Sequence, residues 1–560
     1  MPEFTKSQKA RQAIREFKTI TEALAVRGFY RPSGKFGKEL EDCLKILSPE
    51  IYGSMNDTRI SELKGLEYVI DRLPRGIEQC TRIILTEEDP LDDTPFKKME
   101  PLKRRRASYR ICKDEICFII SRGLSEIYDI ITHMTFLNIE AKKIRSRMKD
   151  PLGNPTGEWA RLEKFVKQPD KTDGLSAAIW NLSIVLGRSY KETCETYEYL
   201  EKNKEKYKSN NGLFSLIYEL GMRVENESAS KQNALMIYFT PSLMKIIGHQ
   251  KYGKMWANDI KKKLFDLNLH NRPVHIISAN LHSVVNTLYG YAAVKNEYEE
   301  KKAHDLYDFF YKIKGMKENI AQFAFQHGLF LVPDRSGTNI DCQIIDTSKL
   351  EPIELHPDIK LDFSSEKAKQ PVILVMDYAF GTQAFELMEN LLKPSLKDNA
   401  ADFISSGSIS IMGKAGILPG KKGDIMLATG HVFEGSAENY IFENDFEEKD
   451  FDNTADIYTG PMITVLGTSL QNRDVLKRLQ TDWQTVGLEM EGGYYQRAIS
   501  AAAIKGHIKP GVRLRYAYYA SDNPLMTGNT LAAGSMGKEG VKPTYMITKA
   551  ILEKICLSLT

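Results

Sequence analysis

The stretch Val486-Gly-Leu-Glu-Met-Glu-Gly-Gly-Tyr-Tyr495, followed 31 residues after Glu491 by Asp522 within Tyr518-Tyr-Ala-Ser-Asp-Asn-Pro-Leu525, decides the reading of this chain. Glu491 ends an apolar, strand-like run and opens a helix of small residues, and Asp522 ends a second such run. The pattern brings two carboxylates to the carboxyl edge of one sheet, where α/β folds build their sites.

Working outward, short β-branched runs alternate with helix-like stretches throughout the second half. They are Val274–Ser278, Leu329–Val332, Val372–Met376, Ser408–Met412, Gly423–Ala428, Met462–Leu466 and Leu514–Ala520. That alternation predicts an α/β layered sandwich. The stretch from Pro352 to Gln370 and the acidic stretch from Glu438 to Asp456 read as surface excursions, because seven carboxylates between Glu443 and Asp456 repel one another and favour solvent. Before about residue 268 the periodicity is helical. Leu124 to Asp150 holds neither Gly nor Pro, with Leu124, Ile127, Ile131 and Met134 on one face, and residues 175–207 repeat the pattern after the loop Pro151–Gly157. The expected division is an all-α domain over 1–268 and an α/β domain over 269–560.

Composition bounds the rest. The 77 basic and 74 acidic side chains of the 560 residues nearly cancel, to a net charge of +3, so no global field favours nucleic acid or an anionic membrane. No apolar run reaches membrane-spanning length, and the polar start lacks the apolar core of a secretory signal, which predicts a cytoplasmic protein. Cys43, Cys80, Cys112, Cys117, Cys194, Cys342 and Cys556 are scattered, without a Cys-x-x-Cys pair, and read as reduced thiols rather than a zinc or disulfide frame.

The run Ser408-Ile-Ser-Ile-Met-Gly-Lys-Ala-Gly-Ile-Leu418, then Lys422-Gly-Asp-Ile-Met-Leu-Ala428, reads as a strand ending in a glycine turn (Gly413, Ala415, Gly416) and a return strand. Glycines there let a ligand approach the main chain; an ordinary tight turn is the alternative. These residues, with Gly487-Leu-Glu-Met-Glu491 and Ala520-Ser-Asp-Asn-Pro-Leu525, resemble in order and spacing three signatures of the nucleoside phosphorylase and nucleosidase superfamily. Within it, Ser-Asp-x-Pro-Leu and Ile425-Met-Leu-Ala-Thr-Gly-His-Val-Phe-Glu434 are most similar to the AMP nucleosidases. Val372–Glu386 looks like the family's preceding strand, turn and helix. The resemblance covers roughly 270–560 and implies an α/β/α sandwich with a mixed central sheet, purine N-glycosidase activity, no metal and no organic cofactor.

Carried over on matching positions, Asp522 is the general acid that protonates the leaving base, with Ser521 or Asn523 orienting its carboxyl group. Glu491 accepts hydrogen bonds from the ribose hydroxyls and Met490 packs on the sugar. Glu489 reads equally as a ribose contact or as a strand-end residue with a local partner. Thr468 and Ser469, in Thr464-Val-Leu-Gly-Thr-Ser-Leu470, fall where the family lines its base pocket. Asn280, His282 and Ser283 offer a 5′-phosphate site or an ordinary helix cap. Lys414 and Arg335 are phosphate candidates or solvated cations.

Two departures from the family pattern shape the reaction. Ile411-Met412 stands where phosphorylases carry a phosphate-binding arginine, which favours water over phosphate as the attacking group. The glutamate that activates water in small nucleosidases is replaced by the Asn280, His282, Ser283 set, so the activator is unassigned. The resemblance therefore implies AMP nucleosidase-like hydrolysis to free base and ribose 5-phosphate, with phosphorolysis and a non-catalytic nucleotide sensor as rivals. It also implies a homo-oligomer. In the first half, Lys103-Arg-Arg-Arg106 with Arg110 reads as an anionic-effector site or as one solvated helix face. His133 reads as a packed or surface histidine, with no second metal ligand at helical spacing.

Overall fold

The computed structural model describes residues 4–88, 91–104, 106–168, 174–246, 251–295, 303–363, 370–397, 400–402, 404–526 and 536–557. The chain forms two compact units: residues 1–249 with 467–475, and residues 250–466 with 476–560. Among the described residues no helix is long and apolar enough to cross a membrane.

The first unit is rich in helix, as its periodicity predicts, but it is not all-α. Its helices are α1 (Lys6–Arg27), α2 (Lys35–Leu47), α3 (Leu63–Ile70), α4 (Leu124–Arg145), α5 (Gly157–Lys167), α6 (Leu175–Leu186), α7 (Tyr190–Tyr207) and α8 (Leu213–Ala229). They accompany a six-stranded sheet of β1 (Phe29–Tyr30), β2 (Arg82–Thr86), β3 (Lys97–Met99), β4 (Ser108–Cys112), β5 (Glu115–Ile119) and β6 (Met236–Phe239), ordered β1-β6-β2-β5-β4-β3. These strands are two to five residues long, too short to impose a period-2 signature between strongly periodic helices. Helix α4 is buried almost all round, which explains why its apolar residues exceed a single stripe.

The first unit also takes up the basic cluster. Lys103 pairs with Asp71 at 2.7 Å, and Arg106 is buried between Glu126 and Asp129, at 3.0 and 2.7 Å. Arg104 reaches Asp129, and Arg110, in β4, donates to the carbonyls of Lys113 and Arg75. These cations are internal ion pairs and loop ties, not one helix face; Arg105 lies outside the described residues. His133 is buried too, with Nδ1 3.2 Å from the Tyr52 hydroxyl and Nε2 3.4 Å from Asp129.

The second unit contains α9 (Lys251–Asp266), β7 (Val274–Ser278), α10 (Leu281–Val294), α11 (Leu306–Lys312), α12 (Lys317–Gln326), β8 (Leu329–Val332), β9 (Cys342–Asp346), β10 (Val372–Met376) and α13 (Gln383–Leu392). A hairpin of β11 (Ser395–Lys397) and β12 (Ala400–Asp402) leads to β13 (Ser406–Ile417), β14 (Ile425–Phe433), β15 (Asn439–Ile441) and β16 (Ile457–Thr464). After the segment 467–475 come α14 (Arg473–Trp483), β17 (Gly487–Glu489), α15 (Gly492–Ile504), β18 (Arg513–Asp522) and α16 (Val541–Leu557).

The ten-stranded sheet runs β15-β14-β16-β17-β13-β7-β10-β9-β8, with β18 pairing β13 and β14. It is mixed: β7 is parallel to β10 and β13, whereas β17 is antiparallel to β13. Alternate strand residues feed two apolar layers. Ile276, Leu374, Tyr516 and Tyr518 face α9, α13 and α15, and Ile277, Val375, Ala517 and Tyr519 face α10, α11 and α16. This is the α/β/α sandwich with a mixed central sheet that the sequence implies; strands covered on both faces read as continuous apolar runs for this reason.

The acidic stretch is more than a solvated loop. It contributes β15, buries Phe446 and Phe451, and places Asp445 2.7 Å from the fully buried Arg515. Asn444 Nδ2 donates to the carbonyls of Ala428 and Tyr516. The charges lie among apolar and amide anchors that a charge count overlooks. Ile353, Ile359 and Phe363 similarly anchor the other excursion, of which 364–369 lie outside the described residues.

Candidate active site

Strand β13 organises the site. It pairs with β18 from Ser408 to Gly416, while its other edge pairs with β7 only as far as Ile411 and with β17 only from Gly416. Among the described residues, Met412, Gly413, Lys414 and Ala415 therefore have no strand partner on that edge. The expected glycine turn is thus not a turn: β13 continues through Gly413, Ala415 and Gly416 to Ile417, because β18 pairs with it from Ser408 through Gly416. What the small residues supply is a stretch of main chain with one edge lacking a strand partner among the described residues, which lets a ligand approach the backbone closely.

Asp522 closes β18, in register with Gly416 on the other edge of β13. The register advances from Ala415↔Ala520 to Gly416↔Asp522, so Ser521 is an extra, bulged residue. A bulge bends the strand and re-aims the next side chain. Ser521 Oγ makes a 3.3 Å hydrogen bond to the Ala415 carbonyl and one of 2.5 Å to Asp522 Oδ1. Asp522 is only 3% exposed. Asn523 does not orient it; its amide donates to the carbonyls of Leu418 and Gly420, tying down the β13–β14 connection.

Glu491 follows β17, which pairs with the edge of β13 opposite β18. Gly416 is in register with Asp522 on one side and Leu488 on the other, which sets those two main chains about 10 Å apart, two inter-strand spacings. Glu491 follows three residues later as the N-cap of α15, and its Oε1 accepts from the Gly381 N–H at 3.0 Å. Gly381 takes φ 56° in the turn after β10, a conformation that favours glycine. Met490 is buried at the same strand end.

Glu489 resolves toward its local-partner alternative. Its carboxylate accepts from the main-chain N–H groups of Glu491 and Gly492 and from Thr464 Oγ1, its register partner on β16. Burial, the largest influence, pushes its pKa up, but His431, Thr464 and the Gly492 N–H together hold it below the ordinary glutamate value. A side chain at Gly492 would collide with the Tyr518 hydroxyl and the His431 ring, so helix α15 can start here only on glycine. Gly492→Ala is expected to destabilise the protein by about 1–3 kcal/mol through overpacking, read as a lower denaturant midpoint at unchanged slope.

The phosphate candidates divide. Asn280 caps α10, accepting from Ser283 N at 2.8 Å, and the fully buried Ser283 hydroxyl donates back to the Asn280 carbonyl at 3.3 Å. His282 is exposed and edge-on to Tyr545; desolvation first, then Lys314, lowers its pKa, and Asp377 opposes this. Lys414 is exposed within the unpaired stretch, and Arg335 is exposed in the loop after β8. That loop connects to Glu491 through hydrogen bonds: the Thr338 carbonyl accepts from Gln383 Nε2, Gln383 Oε1 accepts from Phe380 N, and Gly381 N donates to Glu491.

Thr468 and Ser469 belong to the first unit. Thr468 Oγ1 is hydrogen-bonded to the Tyr68 hydroxyl at 2.9 Å and Ser469 is buried beside Tyr52. Sequence reasoning also passed over Tyr378, which neighbours Asn280 and Tyr519 and lies 3.7 Å from where a Gly413 side chain would begin. His431 and Thr464 were missed as well. All three lie inside stretches quoted for other reasons, and only spatial pairing distinguishes them from core residues.

The chain belongs to the Family of unknown function (DUF6909), whose sequence profile matches residues 38–305 and 306–557. No curated protein matches it. Among solved structures it is similar to isoform 2 of uridine phosphorylase from Schistosoma mansoni, at 12% identity and TM-score 0.30 over 53% of this chain and 91% of that one. It is also similar to a futalosine hydrolase mutant from Helicobacter pylori, at 11% identity and TM-score 0.29, over 50% and 99% of the two chains. A third is the Campylobacter jejuni 5′-methylthioadenosine/S-adenosyl homocysteine nucleosidase, at 12% identity and TM-score 0.30, over 51% and 98%.

Proposed function

We propose that this protein is a purine nucleotide or nucleoside N-glycosidase, acting by AMP nucleosidase-like hydrolysis to free base and ribose 5-phosphate. The observation that supports the reading is the register at Gly416 of β13, which pairs on one edge with the buried Asp522, just past the bulge at Ser521, and on the other with Leu488, three residues before Glu491. A buried acid with a hydroxyl neighbour suits protonation of a leaving purine. A fixed carboxylate at Glu491 suits the ribose hydroxyls, since one carboxylate accepts two donors. The exposed Lys414 suits an oxygen-rich sugar phosphate.

Water is the favoured nucleophile. Ile411 and Met412 are both buried and apolar where a phosphorylase-like site needs a cation. Lys414 and Arg335 remain the side chains with which a 5′-phosphate would pair, and homo-oligomerisation is part of the reading.

Chromatography of products after incubation with a panel of purine nucleosides and 5′-nucleotides, with and without inorganic phosphate, tests it. Free base and ribose 5-phosphate from AMP at equal rates in both buffers is the expected result. Release that requires phosphate would convert the reading to phosphorolysis. Tight nucleotide binding with no base formed over hours would replace it with a sensor.

A further inference from the structure

Behind Glu491 lies a group of buried polar side chains that the proposed chemistry does not use. His431 on β14, Thr464 at the end of β16 and Glu489 at the end of β17 are 1%, 1% and 4% exposed. Thr464 Oγ1 donates to Glu489 Oε1 and accepts from the Gly493 N–H at 3.0 Å. Glu489 Oε2 takes the N–H groups of Glu491 and Gly492. His431 Nδ1 lies 3.4 Å from Glu489 Oε1, and its ring is held against Phe442 at 5.4 Å and against Tyr516 and Tyr518 at 4.9 and 6.3 Å.

A carboxylate this deep is costly unless its charge and lone pairs are met. Here they are met by the first main-chain N–H groups of α15, by a hydroxyl and by an imidazole. The first-turn N–H groups of a helix are its natural anion ligands. The consequence falls on Glu491: its own N–H is held by Glu489, while its carboxylate is held by Gly381 N. Both ends of the residue are therefore fixed from outside the helix it caps.

We propose that His431, Glu489 and Thr464 are positioning residues that set the main chain of Glu491, and thereby the discrimination between ribose and 2′-deoxyribose. This rests on the nucleosidase reading. Because they act through Glu491 and touch no substrate, their loss should appear in sugar discrimination rather than in base protonation. Val is close in shape to Thr and removes only the hydroxyl's two bonds; Phe at 431 keeps the aromatic packing and removes the nitrogen facing Glu489.

The test measures kcat/KM of the full-length protein, Thr464→Val, Thr464→Ser and His431→Phe on AMP and 2′-deoxy-AMP, with thermal melting of each. Thr464→Val and His431→Phe are expected to reduce the ribo-to-deoxyribo preference about tenfold or more, as a small displacement of a positioning group does, while activity on the deoxy substrate stays within about threefold. Thr464→Ser should retain the preference. A folded Thr464→Val protein with unchanged preference overturns the inference and leaves the nucleosidase reading intact. So does an equal loss on both substrates, which would mark a purely structural role. An unmutated protein that releases no base from either substrate overturns both.

Discussion

Asp522→Asn is expected to lower base release at least ~100-fold, the usual weight of a positioned general acid, with little change in folding. The amide preserves shape and still accepts from Ser521 Oγ, but it has no acidic proton to deliver to a leaving purine. Because the side chain is buried at a bulge rather than within the helix layers, the stability cost should be small. Chromatographic product analysis beside a melting curve checks both halves. Wild-type turnover in the variant would remove Asp522 from the chemistry.

Glu491→Gln is the second large effect. The carboxamide keeps an oxygen for the Gly381 N–H but replaces the second acceptor by a donor, which faces the hydroxyls of a ribose with the wrong polarity. The expected loss in kcat/KM on ribonucleotides is about 10–100-fold, and on 2′-deoxyribonucleotides several-fold less. Equal activity of the unmutated protein on the two sugars would count against this role before any substitution is made.

How much of this was legible beforehand differs by element. The runs Val274–Ser278, Leu329–Val332 and Val372–Met376 coincide with β7, β8 and β10; for β7 and β10 this is because strands covered on both faces are nearly pure apolar segments bounded by polar turns. Strand β9 went unread although Cys342–Asp346 is fully buried, since Cys-Gln-Ile-Ile-Asp mixes polar ends into a short run. The sheet of the first unit was hidden for a related reason: strands such as Arg82–Thr86 are too short to register a period-2 pattern.

At the site, the two carboxylates were visible as strand-end residues, but the bulge before Asp522 and the unpaired stretch of β13 were not. Both depend on which strand pairs with β13 at each step, and register is a property of two chains of residues rather than of one. Glu489 illustrates the same limit. Its sequence position suits a ligand contact as well as a cap, and only the facing Thr464 and His431 decide between them.

The excursion of residues 467–475 has a practical corollary. Leu470 and Val475 are buried within the first unit, and Asn472 Nδ2 donates to the Leu47 carbonyl there at 2.9 Å, although this segment is strung between β16 and β17. The two halves of the gene product are thus interleaved rather than joined end to end. A fragment beginning near residue 250 would carry an orphaned apolar hook between the very strands that deliver Thr464 and Glu489, and the complementary N-terminal fragment would lack the peptide that occupies its socket. Coexpression of the pieces, not either one alone, is the route to a dissected protein.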